Sequence, residues 1–475
     1  MREELKNMSE TELNQLEEQV AEEAVTVEDI RSNLKQTKNG TPRQTIYNCL
    51  YVLRHDPVFG GAFRKNLMTG RTVVTKKMTW HREGENYTDV DEDNLKLYLE
   101  EKYALTSEKK IRSAVNIVAN ENGFHPIREM LESLTWDGKE RIRYALSYFL
   151  GADSNNYVGE VMTLHMLAAI HRVYKPGCKY DICLCLVGPQ GCGKSTFFRF
   201  LALKDEWFCD DLKKVDDDNV YRKLQGHWFI EFGELNAKTK AQSIEEFKAF
   251  LTRQKETYKT PYDKYPQDHL RQCVFCGTSN DLQFLPFDRS GNRRFAPVLI
   301  DPAKAEHHIL EDEQKSRAYI EQMWAEAMYY YKEEGNNLKL TFSKNMEGYA
   351  TSLQKEFMPE DSDLGMVEAF LEKKGDEYTC VKEIYCMVFN HIFSDSIPAW
   401  ESKRIADMLR ELGWKCVDSR KFSMYGSQKA WVKIVDPSAD AGDGFVKIAE
   451  NETTPFDQKK EKRKNELKKE SSIIQ

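Results

Sequence analysis

The sequence predicts an α/β core that lies between a smaller N-terminal α+β unit and a C-terminal unit of helices and a β-ribbon. Two observations lead to this prediction. From Ile182 to Leu203 an apolar run, a glycine-rich turn and an amphipathic run follow one another, which indicates strand, loop and helix. Apolar, strand-like runs with polar ends then recur at 228–234 and 274–280, as expected of further strands in the same core.

Length and composition favour a globular protein of several domains. The chain has 475 residues, of which 40% are hydrophobic and 31% charged, so we expect about three domains of roughly 100–200 residues each. No apolar run approaches the ~20 residues that span a bilayer, and the acidic N-terminus lacks the apolar segment of a signal peptide. The formal net charge of −8 neither favours nor excludes nucleic acid as a partner.

The number and placement of the cysteines indicate the redox compartment of the protein. Eleven cysteines are scattered along the chain, several of them in apolar runs, which suits reduced, buried thiols and predicts a cytoplasmic protein. Cys273 and Cys276 were considered as a metal-binding pair, but strand side chains alternate and would place them on opposite faces. We therefore interpret them as core residues.

Segments rich in Gly, Pro or charged residues mark boundaries that divide the chain into five predicted regions. They are an acidic segment and linker (1–43), an N-terminal α+β unit (44–130), the core with its leading helices (131–345), a small domain (346–435) and a charged, disordered tail (436–475). The small domain has three predicted helices and two short strands, Lys415 to Asp418 and Ala430 to Ile434. This is the winged-helix pattern, which serves either DNA binding or protein interaction.

The glycine-rich turn completes the phosphate-binding pattern G-x-x-x-x-G-K-[ST]. Backbone N–H groups of such a loop, together with the N-terminus of the following helix, surround a phosphate. Lys194 would reach the β- and γ-phosphates and Ser195 would ligate Mg²⁺. We therefore expect ATP and Mg²⁺ as cofactors, the alternative being a glycine turn that matches by chance. The predicted nucleotide-binding residues are Gly188, Pro189, Gln190, Gly191, Cys192, Gly193, Lys194, Ser195 and Thr196.

Two later strands end in side chains suited to hydrolysis. Trp228 to Glu234 is an apolar strand with two carboxylates at its end. We assign Glu231 to the metal and Glu234 to the attacking water, with the two roles interchangeable on the sequence alone. Asn280 ends the next strand and would position the water. The alternative is that these polar residues simply mark strands leaving a core or a turn.

Arg293 and Arg294 lie on a loop beyond Asn280. Such arginines can stabilise the charge of a transferring phosphoryl group, and a neighbouring subunit can supply them. A surface ion pair is the alternative interpretation.

Five sequence blocks together resemble the virulence-associated E family of phage- and island-encoded proteins, whose core looks like superfamily 3 helicases of the AAA+ class. The blocks are the loop at 188–195, His227 to Leu235, Tyr258 to Tyr262, Arg271 to Asn280 and Gly291 to Phe295. The resemblance is strong over roughly 120–300. The chain departs from the family in carrying Asp263-Lys264, where relatives often have Gly-Arg.

The resemblance implies a P-loop ATPase that works as a hexameric ring on single-stranded or forked DNA in replication of a phage or mobile element. In superfamily 3 rings the interval after the acidic strand supplies a hairpin to the central channel. Lysines there could track phosphates and aromatic rings could support a base or sugar, the alternative being a solvated loop with two tyrosines packed beneath it. The candidate DNA-contacting residues are Lys255, Tyr258, Lys259, Tyr262 and Lys264.

Three functions remain open from the sequence. The leading one is an ATP-dependent helicase, for which other replication proteins are possible partners and no membrane is expected. The second is a replication initiator or loader that remodels DNA without processive unwinding. The third is a small-molecule kinase with the same phosphate loop, which leaves the winged-helix pattern and the paired arginines unexplained.

Overall fold

The structure is a computed structural model of the chain. It describes residues 25–212, 220–235, 241–258, 265–286, 292–359, 361–375 and 377–433, without the side chains of 222, 241–245 and 336. The acidic segment before residue 25 and the predicted tail after 435 therefore lie outside the described residues, and the predicted domain limits remain predictions. No described helix is long and apolar enough to cross a membrane.

The N-terminal unit packs four helices around a two-stranded antiparallel hairpin. Threonine side chains at 26, 45 and 88 accept hydrogen bonds from backbone N–H groups in the first turn, so three of these helices begin at a capping residue. Leu53, Phe63 and Leu99 are among the side chains of its separate apolar core. The elements are α1 (Val27–Ser32), α2 (Ile46–His55), β1 (Phe63–Lys65), β2 (Thr72–Val74), α3 (Asp89–Tyr103) and α4 (Glu108–Glu121).

The core is a five-stranded parallel sheet, as the predicted α/β class requires. Its strands are β3 (Cys183–Val187), β4 (Phe208–Cys209), β5 (Phe229–Phe232), β8 (Val274–Ser279) and β9 (Phe295–Leu299), in the spatial order β4-β5-β8-β3-β9. Because all pairs are parallel, the carboxyl ends of all five strands meet at one edge. We call this the carboxyl edge and the opposite one the amino edge.

Apolar clusters cover both faces of this sheet. Cys276 belongs to one cluster and Cys273 to the other, which confirms the interpretation of these two cysteines as core residues. All eleven cysteines are free; Cys178 and Cys386 are half-buried, Cys416 is exposed and the other eight are buried. The helices of the core region are α5 (Pro126–Ser133), α6 (Ala145–Leu150), α7 (Asn156–Tyr174), α8 (Lys194–Leu201), α9 (Val220–Leu224), α10 (Ala241–Thr252), α11 (Glu313–Glu334) and α12 (Lys344–Glu356). Short 3₁₀ turns lie at Ile142–Tyr144, Asp205–Trp207, Pro302–Lys304 and Gly335–Asn337.

An antiparallel hairpin projects between α10 and β8. It consists of β6 (Lys255–Tyr258) and β7 (Gln267–Leu270), paired from Lys255 with Leu270 to Tyr258 with Gln267. A hairpin is what the resemblance implied for this interval. Its connection at 259–264 lies outside the described residues, as do the predicted DNA contacts Lys259, Tyr262 and Lys264.

The C-terminal unit has its own apolar core, which includes Ile384, Ile405 and Trp431. The sequence predicted two short strands, whereas the structure has three, in the order β10-β12-β11. The missed strand is only three residues long, so it leaves no readable alternation in the sequence. The elements are α13 (Ser362–Lys374), β10 (Tyr378–Cys380), α14 (Val381–Met387), α15 (Ala399–Glu411), β11 (Trp414–Phe422) and β12 (Gly426–Lys433).

Candidate functional site

The glycine-rich loop joins the end of β3 to the start of α8 at the carboxyl edge. Gly193 precedes α8 with a left-handed backbone (φ 88°), and no side chain caps the first turn of the helix. A Cβ atom on Gly188 would lie 2.7 Å from the carbonyl oxygen of Ile300, so only glycine fits there without a shift of the backbone. The uncapped N–H groups of α8 are therefore available to an anion, and the helix dipole favours one there.

Lys194 is buried inside this loop and its ammonium group is fully engaged. Its Nζ donates to the carbonyl oxygens of Gly188 and Pro189, both at 2.7 Å, and to Oδ1 of Asn280 at 3.0 Å. The side chain is only 6% exposed. Because a buried cation is costly without partners, these three acceptors hold the ammonium at the mouth of the loop.

Ser195 and Glu231 meet beside the loop. The Ser195 hydroxyl donates to Oε1 of Glu231 at 2.7 Å, and the Thr278 hydroxyl donates to the same oxygen at 2.6 Å. Oε2 of Glu231 is buried and has no hydrogen-bond donor among the described residues. Burial raises the pKa of Glu231, while the bonds from Thr278 and Ser195 lower it. The site thus offers a hydroxyl and an unsatisfied carboxylate oxygen, which are hard ligands of the kind Mg²⁺ prefers.

Glu234 and Asn280 extend the site toward solvent. Both are exposed at the carboxyl edge. Glu234 has a left-handed backbone with φ of 54°, which is unfavourable for a residue with a side chain. The next residue, Leu235, donates its backbone N–H to the carbonyl oxygen of Thr278 at 3.0 Å and so ties the turn to β8. Strained backbone held by its surroundings is a recurrent feature of functional sites.

Arg293 and Arg294 lie at the amino edge, away from the loop of their own chain. The carbonyl oxygen of Arg294 accepts a hydrogen bond from the N–H of Cys183, the first residue of β3, at 2.7 Å. The loop follows the other end of that five-residue strand, which is roughly 16 Å away at about 3.3 Å per residue. Within one chain the structure therefore separates the arginines from the other predicted catalytic residues.

The two arginines also differ from each other. The Arg294 side chain is 20% exposed, donates to the Thr252 hydroxyl at 3.0 Å and lies 3.5 Å from the Asp181 carboxylate. Arg293 is 69% exposed and its guanidinium is 3.8 Å from the same carboxylate. Arg294 is thus built into the fold, whereas Arg293 is presented to solvent.

The candidate DNA-contacting residues that the structure describes, Lys255 and Tyr258, lie on β6. Lys255 forms an ion pair with Asp268 on β7. The Tyr258 ring stacks on the rings of Tyr221 and His269, with centroids 5.2 and 3.9 Å apart. The Lys255 side chain is accessible. The Tyr258 ring already packs against other rings of the chain, which agrees better with the alternative that the tyrosines of this interval are packed.

Sequence reasoning missed Thr278 and Asp181. Thr278 contacts Glu231 from a neighbouring strand, and Asp181 lies beside both arginines. Thr278 lies within the block from Arg271 to Asn280 but was given no role there, and Asp181 lies outside all five blocks. The one available signal for Thr278 was its place two residues before Asn280, because alternate residues of a strand share a face.

Residues 131–359 match the family described as virulence-associated protein E-like domain, which confirms the resemblance seen in the sequence. No curated protein matches the chain significantly.

Three solved structures of the NrS-1 C terminal region have weak similarity to this fold. An apo structure of residues 305–718 has 13% identity and a TM-score of 0.44, over 78% of this chain and 95% of that chain. Two A form apo structures have TM-scores of 0.43 and 0.42 and identities of 13% and 14%. They cover 82% and 78% of this chain, and 100% and 96% of their own chains. Scores of this size support no conclusion about function.

Proposed function

We propose that this chain, which carries a virulence-associated protein E-like domain over residues 131–359, is an ATP-dependent DNA helicase or translocase. It would act as a ring in replication of a phage or mobile element. The observation that carries the proposal is the convergence of Lys194, Ser195, Glu231 and Asn280 at one edge of a parallel sheet. These residues come from three strands and their loops, and their types match what nucleoside triphosphate hydrolysis requires.

Nucleotide binding rests on the loop and α8. The left-handed glycines and the uncapped helix N-terminus offer backbone N–H groups, and Lys194 supplies a fixed positive charge. A triphosphate entering the loop would accept a charge-assisted hydrogen bond from Lys194 in place of one of the three acceptors that now hold its ammonium group. This arrangement favours the P-loop class over a chance glycine turn.

Magnesium fits the pair of Ser195 and Glu231. The hydroxyl and the unsatisfied Oε2 of Glu231 would hold the ion, with the remaining positions left to water and phosphate oxygens. When bound there, Mg²⁺ supplies neutralisation of charge on the phosphates. Among the described residues there is no group of three or more Cys, His, Asp or Glu that could form a self-sufficient metal site, so the ion would arrive with the nucleotide.

Glu234 and Asn280 are the proposed partners of the attacking water. Glu234 is exposed at the end of its turn and is placed to accept a proton, while Glu231 is buried and already bonded by two hydroxyls. That difference supports the assignment of Glu231 to the metal and Glu234 to the water. The Asn280 amide, held by Lys194, would orient the water against the γ-phosphate.

The position of the arginines favours an assembly of several subunits. Arg293 is exposed at the amino edge and is separated from its own loop by the length of β3. It could complete a phosphate site only on a neighbouring chain, as an arginine finger does. A closed ring, such as the hexamer that the family resemblance implies, would repeat this contact at every interface.

DNA binding is assigned to the β6–β7 hairpin and to the C-terminal unit. The order of helices and strands from α13 to β12 suits a winged helix. Its hairpin, Trp414 to Lys433, contains five basic residues and one acidic residue, although the chain as a whole is acidic. A local basic surface of this kind favours contact with phosphates.

The test compares the wild-type protein with Lys194→Ala. The wild type should hydrolyse ATP faster when single-stranded DNA is present, and it should separate the strands of a fork with a 3′ or a 5′ tail. Lys194→Ala should lose both activities, since its only charged contact with the β- and γ-phosphates is gone, whereas Lys204→Ala, a surface lysine paired with Glu206, should keep them.

The outcomes separate the candidate functions. DNA-stimulated hydrolysis without strand separation would favour an initiator or loader over a helicase. Phosphorylation of a nucleoside by a monomer would instead indicate a kinase. Normal hydrolysis by Lys194→Ala would overturn the nucleotide-site assignment itself.

A further inference from the structure

Two hydroxyl groups converge on a single oxygen of Glu231. Ser195 reaches Oε1 from α8 and Thr278 reaches it from β8, at 2.7 and 2.6 Å. The other oxygen, Oε2, is buried and has no donor among the described residues. The carboxylate is therefore held at one oxygen and left open at the other.

Thr278 is suited to hold that orientation. Its side chain is 6% exposed, and a β-branched side chain has few accessible rotamers, so the hydroxyl is fixed in place. In the parallel register Glu231 pairs with Cys276. Thr278 lies two residues beyond Cys276 toward the carboxyl edge, on the same face of β8. The neighbouring strand β8 thus places the Thr278 hydroxyl next to the Glu231 carboxylate on β5.

We propose that Thr278 is a positioning residue for the Mg²⁺–nucleotide site. Its hydroxyl fixes Glu231 so that Ser195 shares Oε1 while Oε2 faces the cation. The inference rests on the proposed function, because it concerns the same site. It assigns a role to a residue for which the sequence predicted none, although Thr278 lies within the block from Arg271 to Asn280.

A hydrogen bond that only stabilised the fold would have different consequences when it is removed. If Thr278 only stabilises β8 against β5, its loss should lower the melting temperature and leave the dependence on Mg²⁺ unchanged. If it positions Glu231, its loss should weaken use of Mg²⁺ and leave metal-free nucleotide binding unchanged. The two roles are therefore separated by titration with the ion.

The experiment compares Thr278→Val, which keeps the shape and removes the hydroxyl, with Thr278→Ser, which keeps the hydroxyl. For each full-length protein, the Mg²⁺ concentration for half-maximal ATPase and the Mg²⁺ dependence of binding a fluorescent ATP analogue are measured. We expect the valine variant to need about tenfold more Mg²⁺ in both assays, the equivalent of one charge-assisted hydrogen bond. The serine variant should return to within about twofold of the wild type, as expected when the hydrogen bond is retained.

Thr379→Val is the matched control. Thr379 is also buried and donates to a glutamate, Glu383, at 2.8 Å, but in the C-terminal unit. Its loss should affect stability and leave the Mg²⁺ dependence as it is.

Each outcome decides the inference. An unchanged Mg²⁺ requirement in folded Thr278→Val, or equal changes in the valine and serine variants, would overturn it. If Thr278→Val fails to fold, Thr278→Ala provides the same test without the bulk of the valine. A wild type that binds the analogue with Mg²⁺ but hydrolyses nothing would refute the ATPase and leave the binding test decisive, whereas a wild type that binds no nucleotide would refute both.

Discussion

The two edges of the central sheet carry different halves of the candidate site. At the carboxyl edge, Lys194, Ser195, Glu231 and Asn280 are already joined by hydrogen bonds of 2.7 to 3.0 Å. At the amino edge, Arg293 lies beside Asp181 and away from the glycine-rich loop of its own chain. The two groups lie at opposite ends of β3, roughly 16 Å apart at about 3.3 Å per residue, so one chain keeps Arg293 away from its own loop. Under the proposed function, one chain would prepare the site and a second chain would complete it.

The edges also differ in burial. Lys194 is 6% and Glu231 2% exposed, whereas the Arg293 side chain is 69% exposed. Buried charges must be paired, so the carboxyl edge is fixed in its geometry before any ligand arrives. An exposed arginine is available to a partner, and its planar donor group suits phosphate oxygens.

Removal of the exposed arginine should have the largest effect. Arg293→Ala is expected to bind ATP normally but to hydrolyse it about 10³–10⁵-fold more slowly, because a finger acts on the transition state. Equilibrium binding and steady-state turnover measure the two quantities. Arg112→Ala removes an arginine that is 59% exposed in the N-terminal unit and should change neither. If Arg293→Ala hydrolysed ATP at the wild-type rate, the proposed division of the active site between the two edges of the sheet would be refuted.

The two carboxylates of the carboxyl edge should respond differently to amide substitution. Glu234→Gln is expected to slow turnover about 10²–10⁴-fold while ATP and Mg²⁺ still bind, because the amide cannot accept a proton. Glu231→Gln should raise the Mg²⁺ requirement instead. Single-turnover hydrolysis over a range of Mg²⁺ concentrations separates the two effects, and the reverse pattern would exchange the roles.

Arg294 should behave as a structural residue. Arg294→Ala loses the bond to Thr252 and the contact with Asp181. At about 1 kcal/mol for such a loss, we expect the melting temperature to fall by about 2–4 °C. Thermal unfolding measures this. A variant of unchanged stability whose turnover falls as far as that of Arg293→Ala would show that Arg294, too, acts in catalysis.

The hairpin should give the smallest effect. Lys255→Ala is expected to lower the slope of log affinity for single-stranded DNA against log salt by about 0.7, the loss of one phosphate contact. Asp268→Asn removes the partner of Lys255 and should change affinity in the opposite direction. Titrations at several salt concentrations provide the measurement. If both variants bind like the wild type, this part of the hairpin does not contact DNA.

The position of the residues at the carboxyl edge could be predicted from the sequence because their signals are local. The loop residues are consecutive, and Glu231 and Asn280 each end an apolar strand that can be recognised without knowledge of its neighbours. In a parallel sheet such ends lie along the same edge, so the fold class places these residues on one edge, whereas contact between them also requires that their strands be neighbours. The hairpin between them was anticipated from family resemblance and not from its own residues.

The contacts that the sequence could not predict join residues distant along the chain. The bond of Thr278 to Glu231 depends on the order of strands in the sheet, which periodicity does not specify. The difference between Arg293 and Arg294 depends on Thr252 and Asp181, which are distant in the sequence and partly cover Arg294 while Arg293 stays exposed. The three-residue β10 was missed because only its pairing with β12 makes it a strand.

Mixing two inactive variants tests the shared site most directly. Lys194→Ala lacks a working loop and Arg293→Ala lacks the exposed arginine, so neither should hydrolyse ATP alone. In mixed assemblies some interfaces pair an intact loop with an intact arginine, and we expect part of the wild-type ATPase activity to return as the two proteins exchange subunits. If subunit exchange is demonstrated and activity does not return, Arg293 does not complete the site of a neighbouring chain, and the two edges of the sheet do not form one active site.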